Sequence, residues 1–258
     1  MTRFSGAHWR IFSIEANGSG PLRLTGRSMD SYTPSWSSNG AKIVFRRRGD
    51  GAEGLWTMNA DGSRLAKVPK TPWFCGFPGF SPDGKKIVYS NEKDGRIYLI
   101  NRNGTGRTRL TGPGGNIAPV FSPDGTKIAF FSRRSGDAEI FVMNADGSNE
   151  TPLTANVLED SFPDWSPDGT TLAFQRTRAS GDAEIYTVPA AGGKQTRLTN
   201  HLGNDLQPAW SPGGDRIAFV FADGRSDSEI WIMDADGSNL AAVTSNRLDD
   251  YFPDWKPS

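Results

Sequence analysis

Short β-prone runs broken by Gly, Pro, Asp and Asn recur along the chain. In Phe162-Pro-Asp-Trp-Ser-Pro-Asp-Gly-Thr-Thr-Leu-Ala-Phe174, two such runs flank a Ser-Pro-Asp-Gly tetrad. Proline presets φ for a turn, aspartate bonds its own downstream backbone, and glycine accepts a positive φ. The segment therefore predicts a hairpin from strand a to strand b. A second hairpin, c to d, follows in each unit: Glu139-Ile-Phe-Val-Met-Asn-Ala-Asp-Gly147 leads to Pro152-Leu-Thr154, and Glu229 to Gly237 leads to Val243-Thr244. The apolar-aromatic pair opening strand c occurs at Ile11-Phe12, Leu55-Trp56, Ile97-Tyr98, Ile140-Phe141, Ile185-Tyr186 and Ile230-Trp231.

The aromatic after the repeat proline stands at Trp36, Phe80, Phe121, Trp165, Trp210 and Trp255, spaced by 44, 41, 44, 45 and 45 residues. Such a period marks supersecondary units that bury their apolar faces only against neighbours. Six four-stranded antiparallel meanders predict an all-β, six-bladed β-propeller, which leaves only short, protected edges. After Trp255 the chain supplies only a strand a, while Met1 to Thr25 supplies strands b, c and d. The two ends are expected to share one blade, residues 1–27 with 249–258. The other blades start near Ser31, Cys75, Asn116, Asp160 and Asp205, within a single domain spanning 1–258.

Composition alters this picture little. With 36% hydrophobic residues, 22% charged and 30 glycines in 258 residues, the chain suits a turn-rich β domain. Lys+Arg 29 against Asp+Glu 29 removes the broad attraction behind non-specific nucleic-acid binding. The one cysteine, Cys75, excludes an internal disulfide and fits a reducing or an oxidising compartment. No run of ~20 apolar residues predicts membrane insertion. The N-terminus lacks the apolar run of a signal peptide, which reads as cytoplasmic, or periplasmic if a leader was removed.

Pro-x-Trp-Ser-Pro-Asp-Gly, then Ile-Ala-Phe, Glu-Ile-Tyr-x-Met-Asn-Ala-Asp-Gly-Ser and Leu-Thr, resembles the repeat of TolB-type propellers, also found as the accessory propeller of some serine peptidases. The resemblance covers essentially the whole chain. It implies a bacterial envelope protein that docks a lipoprotein partner on the propeller. The α/β domain that precedes the propeller in TolB and the hydrolase domain of the peptidases are both missing from the sequence.

In an up-and-down blade, the a–b and c–d turns share one face and the b–c and d–a loops the other. The turns are near-identical between blades, which reads as structural punctuation. The d–a loops differ in every blade, and variable loops on a rigid scaffold are where binding is usually placed. Three residues before the repeat proline stand Ser31, Cys75, Asn116, Asp160, Asp205 and Asp250; just after it stand Ser35, Gly79, Val120, Asp164, Ala209 and Asp254. Period-two alternation puts both sets on one side of strand a, rimming the central channel. Asn116, Asp160, Asp205, Asp250, Asp164, Asp254 and the loop residue His201 are thus candidate channel ligands. Asp160, Asp205 and Asp250 could converge on Ca²⁺, or each could instead bond backbone N–H groups at a blade junction.

Two further sets break the sixfold sameness. Arg46, Arg47, Arg48, Arg133, Arg134, Arg176, Arg178 and Arg225 concentrate positive charge on the b–c loops, either to dock anions or as a solvated rim. Trp73, Phe74 and Phe77 cluster in one blade, and Tyr32, Phe162, Tyr251 and Phe252 sit beside strand-a starts. These rings suit either a partner or packing between blades. Only His8 and His201 could serve as an imidazole base, and no Gly-x-Ser-x-Gly elbow or zinc-type set is present. The leading expectation is a monomeric, non-catalytic module binding a protein or peptide on its variable loop face. The alternative is a small-ligand binder or enzyme using an acidic channel, with a divalent metal. A channel capped by aromatics favours the first.

Overall fold

The computed structural model describes every residue except 27, 50, 225, 226 and 258. Six four-stranded antiparallel sheets follow one another around a ring. One blade holds β16 (Glu159–Trp165), β17 (Thr171–Thr177), β18 (Ala183–Pro189) and β19 (Thr196–Arg197), paired in that order. The ring closes as its ends predict: β24 (Asp250–Tyr251) pairs with β1 (Thr2–Ser5), which pairs with β2 (His8–Ser13), and β2 with β3 (Leu22–Arg23). Among the described residues no helix is long and apolar enough to cross a membrane.

The repeated residues each have a mechanical task. In the a–b turn, the Ser166 hydroxyl bonds Asp168 and accepts the Thr171 N–H, locking the hairpin from inside. In the c–d turn, Asp146 accepts the Ser148 N–H, and Gly147 takes a left-handed φ of 88°. A Cβ on Gly147 would lie 2.6 Å from the Leu110 carbonyl of the preceding blade, so glycine is required for close approach as well as for φ. The threonine ending the Leu-Thr motif accepts the N–H that opens strand c. Thr25, Thr71, Thr111, Thr154, Thr199 and Thr244 bond Ile11, Leu55, Ile97, Ile140, Ile185 and Ile230 at 2.8–3.1 Å.

Between blades the core is aromatic and aliphatic. Phe45, Tyr89, Phe130, Phe174 and Phe219 are fully buried, one from strand b of each of five blades. In the closing blade Met1 takes that position, opposite Phe12. Trp165 and Trp255 donate their indole N–H groups to the carbonyls of Val120 and Ala209 in the preceding blade, tying neighbours together.

Candidate functional site

Strand a carries a departure that period-two alternation does not contain. Ser161 pairs with Gln175 and Asp164 with Ala173, so Phe162 and Pro163 together oppose one residue of β17. This β-bulge recurs in four other blades. The residue before each repeat proline is left-handed in all six: Thr33, Phe77, Ala118, Phe162, Gln207 and Phe252 have φ of 49° to 54°. Such a conformation costs a non-glycine residue about 1–2 kcal/mol, so the surrounding structure must impose it. Side-chain bonds between neighbouring blades contribute: Gln175 Oε1 accepts the Gln207 N–H at 3.0 Å, and Gln207 Oε1 accepts that of Phe252 at 2.8 Å.

The bulge corrects the expected channel lining. It turns Asp160 and Asp164 to opposite faces of their sheet, because Asp160 stands across from Arg176 while Asp164 stands across from Ala173. The central cavity, about 140 Å³, is lined by three residues from each of six strands: the left-handed residue, the proline and the residue after it. Asp164 and Asp254 therefore do face the channel. Each also reaches the next blade, Asp164 accepting the Trp210 N–H and Asp254 the Trp36 N–H, both at 2.7 Å. Burial pushes the Asp164 carboxyl up to about 7, helped by the Asp254 charge and opposed by its hydrogen bond from Trp210. Burial likewise raises Asp254 to about 6.

Asp160, Asp205 and Asp250 are buried inside their own blades and do not come together. Among the described residues no group of three or more His, Cys, Asp or Glu side chains is placed to hold a metal ion. Arg176 grips Asp160 through Nε and Nη2, each at 2.6 Å, and Arg3 grips Asp250 at 2.7 and 2.8 Å. Asn156 and Asn246 add a bond to each carboxylate. Asp205 has no such arginine, because Phe221 occupies the facing position on strand b. His201 Nε2 is 3.4 Å away, its ring edge-on to Phe221. Burial raises the Asp205 carboxyl well above the usual range, and the Glu184 carboxylate adds to the shift. Asn116 bonds the carbonyls of Gly95 and Gly112 and accepts from Arg134, while burial pushes the Cys75 thiol up to about 12.

The channel is closed by aromatics from alternate blades. Ring centroids lie 5.6 Å apart for Phe77 and Phe162, 5.7 Å for Phe77 and Phe252, and 6.5 Å for Phe162 and Phe252. Phe77 thus belongs to the plug and not to the Trp73–Phe74 pair, whose rings meet edge-on at 5.3 Å. On the same face Trp73 is 57% exposed, Val157 85% and Leu202 89%, each on a different d–a loop. Sequence reasoning passed over Val157 and Leu202. Their signal was an apolar residue within two positions of the asparagine that opens each loop, Asn156-Val157 and Asn200-His201-Leu202.

Most of the arginines are spoken for. Arg46 bonds Glu92 at 2.6 Å across a blade junction, and Arg47 lies over the Trp56 ring at 4.9 Å. Arg133 takes Glu159 in a two-pronged bond, Arg134 takes Glu150 and lies over Phe141, and Arg178 is 3.3 Å from both Asp182 and Glu184. Arg176 is buried, so it cannot present itself to a partner. Arg48 is exposed, and Arg225 lies outside the described residues.

Six four-stranded antiparallel blades around a phenylalanine-plugged axis define a six-bladed β-propeller. The family model described as the TolB beta propeller domain matches residues 1–161 and 159–258, and the chain belongs to that family. A protein TolB homolog of Chlorobium chlorochromatii is 30% identical over 60% of this chain and 36% of its own length. The Tol-Pal system protein TolB of Geobacter metallireducens is 55% identical over 33% of this chain and 20% of its own. The chain therefore spans about a third or less of these relatives. Among solved structures, a putative TolB from Agrobacterium tumefaciens superposes with a TM-score of 0.82 at 25% identity, covering 95% of this chain and 92% of that one.

Proposed function

We propose that this propeller is a non-catalytic module that presents its variable loop face to a protein or peptide partner. The observation that carries this reading is the trio of apolar tips Trp73, Val157 and Leu202, held in solvent around a mouth closed by phenylalanines. Apolar side chains grouped on a rigid face are what interface cores bury. The relatives named as Tol-Pal system proteins, and the lipoprotein partner that the repeat resemblance implies, make that lipoprotein the first partner to test.

Titration calorimetry of its soluble domain against the parent and a Trp73→Ser, Val157→Asp, Leu202→Asp variant is expected to show binding weakened roughly tenfold or more in the variant. Equal affinities would remove this face, and no binding by the parent would remove this partner.

A second reading, a cation or small ligand in the channel, has its support in Asp164 and Asp254, which both face the 140 Å³ cavity. It predicts a melting temperature raised by millimolar Ca²⁺ in the parent and unmoved in Asp164→Asn. A parent unmoved by Ca²⁺ sinks the metal.

A further inference from the structure

Three successive blade junctions are built to one plan, and the middle one departs from it. Two residues after Thr154, Thr199 and Thr244, and four before Asp160, Asp205 and Asp250, stand Asn156, His201 and Asn246. In the two flanking junctions the asparagine N–H bonds the glutamate that opens strand c, Glu139 at 2.5 Å and Glu229 at 2.6 Å. The asparagine side chain then donates to the aspartate, Asp160 at 2.8 Å and Asp250 at 3.0 Å. An arginine facing that aspartate on strand b, Arg176 or Arg3, completes each set with a charge that no ordinary pH removes.

At the middle junction both of those positions are changed. His201 stands where the asparagine would, and Phe221 where the arginine would. Glu184 keeps its partners: Thr199 donates to it at 2.7 Å, and Arg197 and Arg178 pair with it, Arg178 being shared with Asp182. Asp205 is fully buried, and neither of its side-chain oxygens accepts a hydrogen bond. Its ion-pair contact among the described residues is His201 Nε2 at 3.4 Å, and His201 Nδ1 is itself buried and unbonded. On β16 and β17 the other charges are turned elsewhere, Glu159 to Arg133, Asp164 to the channel and Arg176 to Asp160. The loop is pressed onto Phe221, since the His201 ring meets that ring edge-on at 5.1 Å and a Cβ on Gly203 would lie 2.9 Å from it. Leu202, the exposed tip, sits between these two contacts.

We propose that Asp205 and His201 form a proton-operated latch on the loop that carries Leu202, set while the pair holds a proton and released when alkali removes it. With one proton the pair is neutral overall, whichever of the two side chains carries it. Without that proton a bare carboxylate is left buried beside the Glu184 carboxylate, and the loop lifts to admit water. Burial, with the Glu184 charge adding to it, raises the Asp205 carboxyl to about 7. A carboxyl raised on folding holds the loop fully below its unfolded value of about 4, and that hold fades as pH climbs through about 7. The Val157 loop has no such release, because Asn156 and Arg176 keep their charge states over this range. The consequence for docking rests on the reading of this face as the partner surface: release withdraws one of its three apolar tips.

The three junctions supply their own controls, because Ile140, Ile185 and Ile230 donate equivalent amides to Thr154, Thr199 and Thr244. Thr199 also bonds Glu184 and leads into the loop, so lifting the loop reaches the Ile185 amide. From pH 6 to pH 8.5, hydrogen exchange corrected for its intrinsic rate is expected to show protection at Ile185 falling roughly tenfold relative to Ile140 and Ile230. Asp205→Asn should abolish that fall, and so should His201→Asn combined with Phe221→Arg, which copies the flanking junctions. No fall at Ile185, a fall shared by all three amides, or a fall that persists in Asp205→Asn overturns the latch. Calorimetry with the lipoprotein's soluble domain then separates the latch from the docking face. The parent's affinity is expected to drop roughly threefold or more over the same pH range while that of Asp205→Asn stays level. An equal drop in both overturns control of docking by this loop. A parent that binds at neither pH removes that partner, and the exchange result alone then decides the latch.

Discussion

Asp250→Ala is expected to lower the melting temperature by roughly 6–20 °C, the equivalent of about 3–5 kcal/mol for breaking one side of a buried ion pair. Asp250 is fully buried and its two oxygens take both prongs of Arg3, 247 residues away in sequence. Removing the carboxylate leaves the guanidinium without its counter-charge at the seam where the two chain ends meet. Two residue pairs, Thr2 with Tyr251 and Arg3 with Asp250, and the Phe4 N–H bonded to the Asp249 carbonyl join the two ends, so this ion pair is a substantial part of the closure. Asp160→Ala removes the matching carboxylate from a blade whose strands are covalently continuous. It should cost a similar amount but leave a single sharp transition. In Asp250→Ala, an early exchange of the β1 and β24 amides should precede the main unfolding. Deleting residues 249–258 should be more severe still. A melting temperature within 2 °C of the parent for Asp250→Ala would show that the seam does not depend on this pair.

Replacing Asp164 with asparagine should stabilise the protein above neutral pH and leave it nearly unchanged near pH 4. Burial lifts the Asp164 carboxyl to about 7 in the folded ring, far above its ordinary range. A carboxyl raised on folding contributes stability that is full below its unfolded value near pH 4 and is lost as pH climbs through about 7. The parent therefore loses on the order of 2 kcal/mol from this group between pH 5 and pH 8, discounted because Asp164 keeps partial contact with solvent. Asparagine stays neutral throughout and still offers an oxygen to the Trp210 N–H. Two other groups move in the same window. Asp254, at about 6, acts in the same sense as Asp164. The Met1 ammonium, lowered to about 6 by burial, acts in the opposite one. The comparison that matters is the difference between variant and parent across pH, measured by thermal unfolding. Parallel curves from pH 5 to pH 8 would dismiss Asp164 as a titrating group of the fold.

Much of the scaffold could be read from the residues because each repeated motif acts locally. Ser-Pro-Asp-Gly makes its own turn, and Asn-Ala-Asp-Gly makes the next. Arg3 and Asp250 could meet only because Met1 to Thr25 and the run around Trp255 each hold part of a blade. The channel was read less well, for one reason. Counting by twos from Asp164 back to Asp160 assumes a regular strand, and the bulge at Phe162-Pro163 breaks the count. Nothing in the residue types announces it: the left-handed position is filled by Thr33, Phe77, Ala118, Phe162, Gln207 and Phe252, with no glycine among them. The arginines misled differently. Arg46, Arg133 and Arg134 are rich in donors, but their carboxylate partners lie in other loops or blades, so only the folded ring shows them paired.

Phenylalanine occupies the left-handed position in blades two, four and six, counted from the blade that begins at Asp30, and smaller or polar residues occupy it in the other three. The axis therefore has threefold symmetry inside a sixfold frame. A side chain or small group arriving along that axis would meet three nearly equivalent seats, 120° apart, and could not tell them apart by the plug alone. Orientation has to be decided at the rim, where Trp73, Val157 and Leu202 stand at the tips of three different loops.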